Sequence, residues 1–129
     1  MKRILFAFVL MLLTANIGSA QEKAASISVV GEAIFDFGDI NEADGPVTHV
    51  FTIKNDGEVA LVVTKVVASC GCTTPDWTKE PIAPEKTGEI KVTYDPTKRP
   101  GPFMKTISVY SNGKVGSYLL TIKGKVVPT

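Results

Sequence analysis

From Ile27 to the C-terminus, hydrophobic and polar residues alternate in a series of short runs. A period of two puts the apolar side chains on one face of an extended segment, so each run predicts a half-buried antiparallel strand. Seven such runs can be placed. The first two lie at Ile27 to Val30 and Ala33 to Phe37. The third, Val47 to Lys54, sets Val47, His49, Phe51 and Ile53 on one face. The fourth, Ala60 to Ala68, is so rich in Val that both faces are expected to be covered. The fifth opposes Ile90, Val92 and Tyr94 to Glu89, Lys91 and Thr93. The sixth, Phe103 to Tyr110, opposes Phe103, Ile107 and Val109 to Thr106 and Ser108, and the seventh opposes Tyr118, Leu120 and Ile122 to Thr121 and Lys123.

The connections carry turn residues. Asn55-Asp56-Gly57-Glu58 predicts a hairpin between the third and fourth runs, and Asn112-Gly113 predicts one between the sixth and seventh. Pro75 to Pro84 reads as a long bridge from one sheet to the other, while Pro96, Pro100 and Pro102 stiffen the link between the fifth and sixth runs. Seven short strands in about 100 residues predict an all-β, immunoglobulin-like antiparallel sandwich. The inter-sheet disulfide of antibody domains is excluded, because the only two cysteines, Cys70 and Cys72, are two positions apart.

The first 20 residues break the pattern. Met1-Lys2-Arg3 starts positive, Ile4 to Leu13 is an unbroken run of ten apolar residues, and Gly18-Ser19-Ala20 ends the stretch in small residues. This predicts a signal peptide over residues 1–20, cut after Ala20. The apolar run is too short for a bilayer, which takes about 20 residues, and no cysteine at the cut offers a lipid anchor. Residues 21–25 then read as a flexible linker and 26–129 as one domain. Cleavage removes Lys2 and Arg3, turning the net charge from +1 to −1 over 109 remaining residues. Those residues include fourteen Val, eight Ile and twelve Thr but three Leu, which suits strands rather than helices. No basic stripe is present to neutralise phosphates, which argues against nucleic acid. The mature chain keeps no transmembrane segment, and its expected place is periplasmic or extracellular.

A set of local motifs runs through the chain. Phe35-Asp36-Phe37-Gly38 is followed by His49-Val50-Phe51-Thr52-Ile53-Lys54-Asn55 with Gly57, then by Ser69-Cys70-Gly71-Cys72-Thr73 and Pro81-Ile82-Ala83-Pro84. Tyr94-Asp95, Gly101, Phe103, Lys105 and Ser111-Asn112 complete it. In this order the chain resembles the DUF1573 family of exported bacterial domains, whose function is largely unassigned. The Ser-Cys-Gly-Cys-Thr segment is the most specific part. Glu85 departs from the pattern, since the family usually has Gly after this proline, and that bears on the turn conformation there. The family is similar to the ASH, major sperm protein and PapD-type domains. The resemblance thus implies the same sandwich and no activity, since fold does not fix function.

The chemistry concentrates at Cys70 and Cys72. Residues i and i+2 of an extended chain point the same way, so both sulfurs can face one small space, and Gly71 is expected to ease a bend. One reading is a local disulfide, favoured by export into an oxidising compartment. Its tiny loop adds little stability, which suits redox exchange better than a structural staple. A second is metal binding, with two thiolates and His49 as soft ligands for Cu(I) or Zn. His49 is the only histidine. If the third and fourth runs form a hairpin, it pairs near Val63 to Val66, away from the cysteines, and its bland role is a hydrogen-bonded, partly buried histidine. A reactive thiol would need a nearby base, and only His49 could serve. The bland reading makes Cys-Gly-Cys a bend between sheets with its sulfurs packed inside.

Trp77, beside Pro75 and Pro81, is a candidate binding anchor or a cap on the sandwich edge. Lys98-Arg99 reads as a solvated loop, and so does the acidic group Asp36, Asp39, Glu42 and Asp44, which falls short of a calcium cage. No phosphate loop or catalytic triad pattern occurs. The expected function is a non-enzymatic, exported interaction domain without a cofactor, binding an envelope or secreted protein through strand edges or loops. The alternative is a thiol-dependent metal or redox role at Cys70-Gly71-Cys72.

Overall fold

The computed structural model describes residues 23–128, so the predicted signal peptide and its cut lie outside the described residues. Eight strands follow in order: β1 (Ile27–Val29), β2 (Ile34–Asn41), β3 (Val47–Asn55), β4 (Val63–Ala68), β5 (Thr73–Trp77), β6 (Thr87–Tyr94), β7 (Gly101–Ser111) and β8 (Ser117–Val127). They form two four-stranded sheets, ordered β1-β3-β6-β5 and β2-β8-β7-β4. The first sheet is antiparallel throughout. The second is mixed, because β2 runs parallel to β8.

The alternation does what it predicts. Phe51, Ile53, Ile90 and Val92 point inward from the first sheet, and Ile107 and Leu120 meet them from the second, all at most 2% exposed. Burying each such side chain contributes roughly 1.5–3 kcal/mol, and one continuous core joins the sheets into a sandwich.

Several connections differ from expectation. β3 and β4 are not hairpin partners; they lie in different sheets. The cause is Asn55, which sits on the inward phase of β3 and is fully buried. Its Nδ2 donates to the carbonyls of Val59 (2.7 Å) and Ile82 (2.9 Å), and its Oδ1 accepts from the N–H groups of Gly57 (2.9 Å) and Ser26 (3.3 Å). An amide so engaged draws three segments together and leads the chain out of its sheet rather than back along it. Gly57 is tight here, since a Cβ would collide with the carbonyl oxygen of Ala24. Asn112 repeats the device: its Oδ1 accepts from Val62 N–H (2.8 Å) and its Nδ2 donates to Ala60 O (3.0 Å), which ties the crossover to the β7–β8 hairpin predicted at Asn112-Gly113.

The bridge from Pro75 to Pro84 is also not a sheet crossing. Its first part belongs to β5, an eighth strand paired with β6 in the same sheet. Thr78 N–H bonds to Glu89 O (3.0 Å). Counting back along that ladder, the nitrogen of Pro75 faces the free edge, where a missing N–H breaks no bond. β4 is covered on one face only: a register shift between Val63 and Lys65 lets Val63 and Val66 both turn inward while Val67 stays exposed. Asp36 and Asp39 belong to β2 rather than to a loop. Ala25, assigned to the linker, is fully buried, and its carbonyl accepts from Lys114 N–H, so the folded unit begins before Ser26. Glu85 adopts the left-handed conformation, φ 68°, that the resemblance to a glycine-bearing turn anticipates.

Candidate functional site

β4 ends in one sheet and β5 begins in the other, so Ser69 to Cys72 carry the chain across, as the bend reading expects. Backbone bonds hold this bend. Ser69 N–H donates to Thr106 O (2.9 Å), Thr73 N–H to Cys70 O (3.2 Å) and Asp95 N–H to Cys72 O (2.9 Å). Thr106 N–H returns a bond to Ser69 Oγ (3.1 Å). Within this frame Cys70 and Cys72 form a disulfide, their Cα atoms 5.3 Å apart, inside the usual range of about 4.4–6.8 Å.

The two sulfurs differ in surroundings. Cys72 is 5% exposed and joins the core, whereas Cys70 is only partly buried. Cys72 N–H points at Cys70 Sγ (3.1 Å), and the Thr73 hydroxyl lies 3.7 Å from Cys72 Sγ. Gly71 does not have a positive φ, and a Cβ built there meets nothing within 4 Å. The bend therefore does not require glycine, contrary to expectation, and a side chain at this position would meet open space.

His49 does not join this site. It lies on β3 opposite Val92 of β6, with β6 between it and β5. Two strand spacings, about 10 Å, separate β3 from β5. Its ring stacks on Phe35 (3.7 Å, 9°) and meets Phe51 edge-on (4.6 Å, 83°), so aromatic packing takes the place of the hydrogen bond that sequence suggested. Burial lowers its pKa by penalising the charged form. Among the described residues no three His, Cys, Asp or Glu side chains come together as metal ligands. Trp77 packs against the core from the edge strand β5, and the ammonium of Lys79 covers its ring, 3.0 Å from the centroid. It caps the edge.

One surface feature escaped the sequence reading. On the outer face of the second sheet, Val67 of β4, Ser108 of β7 and Leu119 of β8 form one row. Tyr110 and Lys65 lie in the next row, Ile34 of β2 sits beside Thr121, and Met104 sits beside Lys123. Ile34, Met104 and Leu119 are 54%, 66% and 56% exposed, far more open than any core residue. A hollow of about 500 Å³ opens at its margin between Asp36, Met104 and Lys125. The signal was present in the apolar residues that fall on the polar phase of their strands. The sheet edges are blunted: β1 has three residues, β5 contains Pro75, and β2 and β4 have register shifts.

A family model described as "Protein of unknown function (DUF1573)" matches residues 28–126. The chain is similar in fold to a protein of unknown function from Porphyromonas gingivalis, with a TM-score of 0.68 at 17% identity, covering 82% of this chain and 50% of that one. It is also similar to two proteins of Vibrio cholerae. For the VesB protease the TM-score is 0.58 at 17% identity, over 80% of this chain and 31% of that one. For the secreted serine protease VesC it is 0.55 at 13% identity, over 82% and 24%. The chain thus spans half or less of the length of these solved structures. No curated protein matches it.

Proposed function

Because this chain belongs to the DUF1573 family, a family without an assigned activity, we propose its function from its own surface: an exported, non-enzymatic interaction domain of the bacterial envelope. Its docking surface is the outer face of the β2-β8-β7-β4 sheet. The observation that carries this reading is the exposed set Ile34, Val67, Met104, Tyr110 and Leu119 on neighbouring strands. These apolar residues cluster on one face, with Ser108, Thr121 and Lys123 between them, and such a cluster favours a protein contact. The blunted edges favour a face over strand addition. Export is supported by the signal-like N-terminus and by a disulfide suited to an oxidising compartment. The secreted protease VesC is much longer than the matching part of this fold, which supports an accessory role for such a domain.

The partner is an envelope or secreted protein presenting an apolar surface. The test is quantitative capture of partner from envelope extract. Leu119→Asp and Val67→Asp should each weaken capture by about thirtyfold while Lys91→Asp, on the opposite outer face, leaves it intact. Equal capture by all three variants would overturn the reading.

A further inference from the structure

The disulfide at the sheet crossing adds little restraint to a bend that is held by other bonds. Three backbone bonds and the Ser69 hydroxyl already fix the bend, and the disulfide closes a loop with one residue between its cysteines. So short a loop restrains the unfolded chain little. It is also approachable, because Gly71 is exposed and Cys70 is only partly buried. The glycine is explained neither by backbone conformation nor by packing.

We propose that Cys70–Cys72 is a thiol–disulfide exchange site that takes two electrons from an exported protein dithiol, with Cys70 as the sulfur that forms the mixed disulfide. The asymmetry assigns the roles. An incoming thiolate attacks Cys70, the less buried of the two residues, rather than Cys72, which is 5% exposed and belongs to the core. Attack forms a bond from the partner's sulfur to Cys70 Sγ and breaks the Cys70–Cys72 bond. The electron pair leaves on Cys72 Sγ, beside the Thr73 hydroxyl, and takes up the proton lost by the attacking thiol. The partner's second thiolate then attacks its own mixed-disulfide sulfur and expels Cys70 as a thiolate, which takes up the second thiol's proton. Cys72 N–H, 3.1 Å from Cys70 Sγ, is placed to stabilise that charge. The partner ends as a disulfide and this domain as a dithiol, with atoms and electrons balanced. The same N–H favours Cys70 as the attacking sulfur in the reverse direction.

Thiol exchange and partner capture are read by separate measurements, so each proposal can fail alone. The exported protein is equilibrated with reduced and oxidised glutathione, and alkylated thiols are counted by mass spectrometry. The reduced fraction should follow the buffer while the far-UV spectrum and Tm stay nearly constant. A disulfide that resists excess reduced glutathione, or whose reduction unfolds the sandwich, overturns the proposal. Cys72→Ser should trap glutathione on Cys70 at least about tenfold faster than Cys70→Ser traps it on Cys72, because Cys70 is the less buried residue. Equal rates or the reverse order overturn the assignment. Gly71→Leu should fold normally, since a Cβ there meets no other atom within 4 Å, and slow reduction by about tenfold through shielding; an unchanged rate would overturn the approach past Gly71.

Discussion

The two sheets bury their inner faces by the same rule, yet their outer faces differ. The first sheet turns Thr48, Val50, Thr52 and Lys54 of β3 and Glu89, Lys91 and Thr93 of β6 to solvent, so that a single exposed Val, opposite Lys91, stands among polar residues, with a hydrogen-bonded pair between the Thr48 and Thr93 hydroxyls. The second sheet exposes Ile34, Val67, Met104, Tyr110 and Leu119. Folding does not require this difference, because an outward position contributes little to stability whichever residue fills it. An apolar residue held there is better explained by a contact outside the chain. Under the proposed function, one outer face serves solubility and the other recognition.

The largest expected effect concerns the frame that both faces share. Asn55→Ala leaves two carbonyls and two N–H groups without their amide partner, and should cost about 3 kcal/mol in urea unfolding. Partner capture should then fall only in proportion to the unfolded fraction, which separates loss of frame from loss of face. Leu119→Asp should do the opposite: removing an anchor worth about 2 kcal/mol weakens capture thirtyfold or so, with the unfolding midpoint nearly unchanged. Thr52→Asp on the first sheet should change neither reading, and a loss of capture there would erase the contrast. Glu85→Gly relieves a left-handed residue at the cost of an exposed ion pair with Lys54 (3.1 Å). It should raise stability by about 0.5–1 kcal/mol and leave capture unchanged.

The smallest effect is a pH dependence. Burial holds the pKa of His49 below its ordinary 6.5, so the unfolded chain binds the proton more readily. The stability linked to neutral His49 is complete above that value and is lost as pH falls through the lowered one. His49→Phe should flatten this slope in unfolding curves taken between pH 7 and 5. A slope unchanged by the substitution would assign it elsewhere.

Much of the sandwich was legible in sequence because half-buried strands advertise their faces. β6 reads correctly residue by residue, since Glu89, Lys91 and Thr93 leave no doubt about which phase is wet. β5 was hidden because Pro75 and Asp76 are poor strand residues, tolerated there only by a free edge. The partner of β3 was misjudged because Asn55-Asp56-Gly57 carries turn chemistry whether the chain reverses or crosses; only the burial of the Asn55 side chain decides. At the candidate site, the closeness of Cys70 and Cys72 followed from their spacing. Their unequal exposure did not, because it depends on the packing of the bend against Thr106 and Asp95. His49 lay on the expected phase, but its distance from the cysteines is set by sheet order, which alternation does not encode.

The most direct test places a photo-crosslinking amino acid at Leu119 or at Thr52, one on each outer face, in the full chain expressed in its native cell. Crosslinking at position 119 should give a discrete partner band that is absent at position 52. Bands of equal strength from both positions, or none from 119 in protein shown to be folded, would contradict the account.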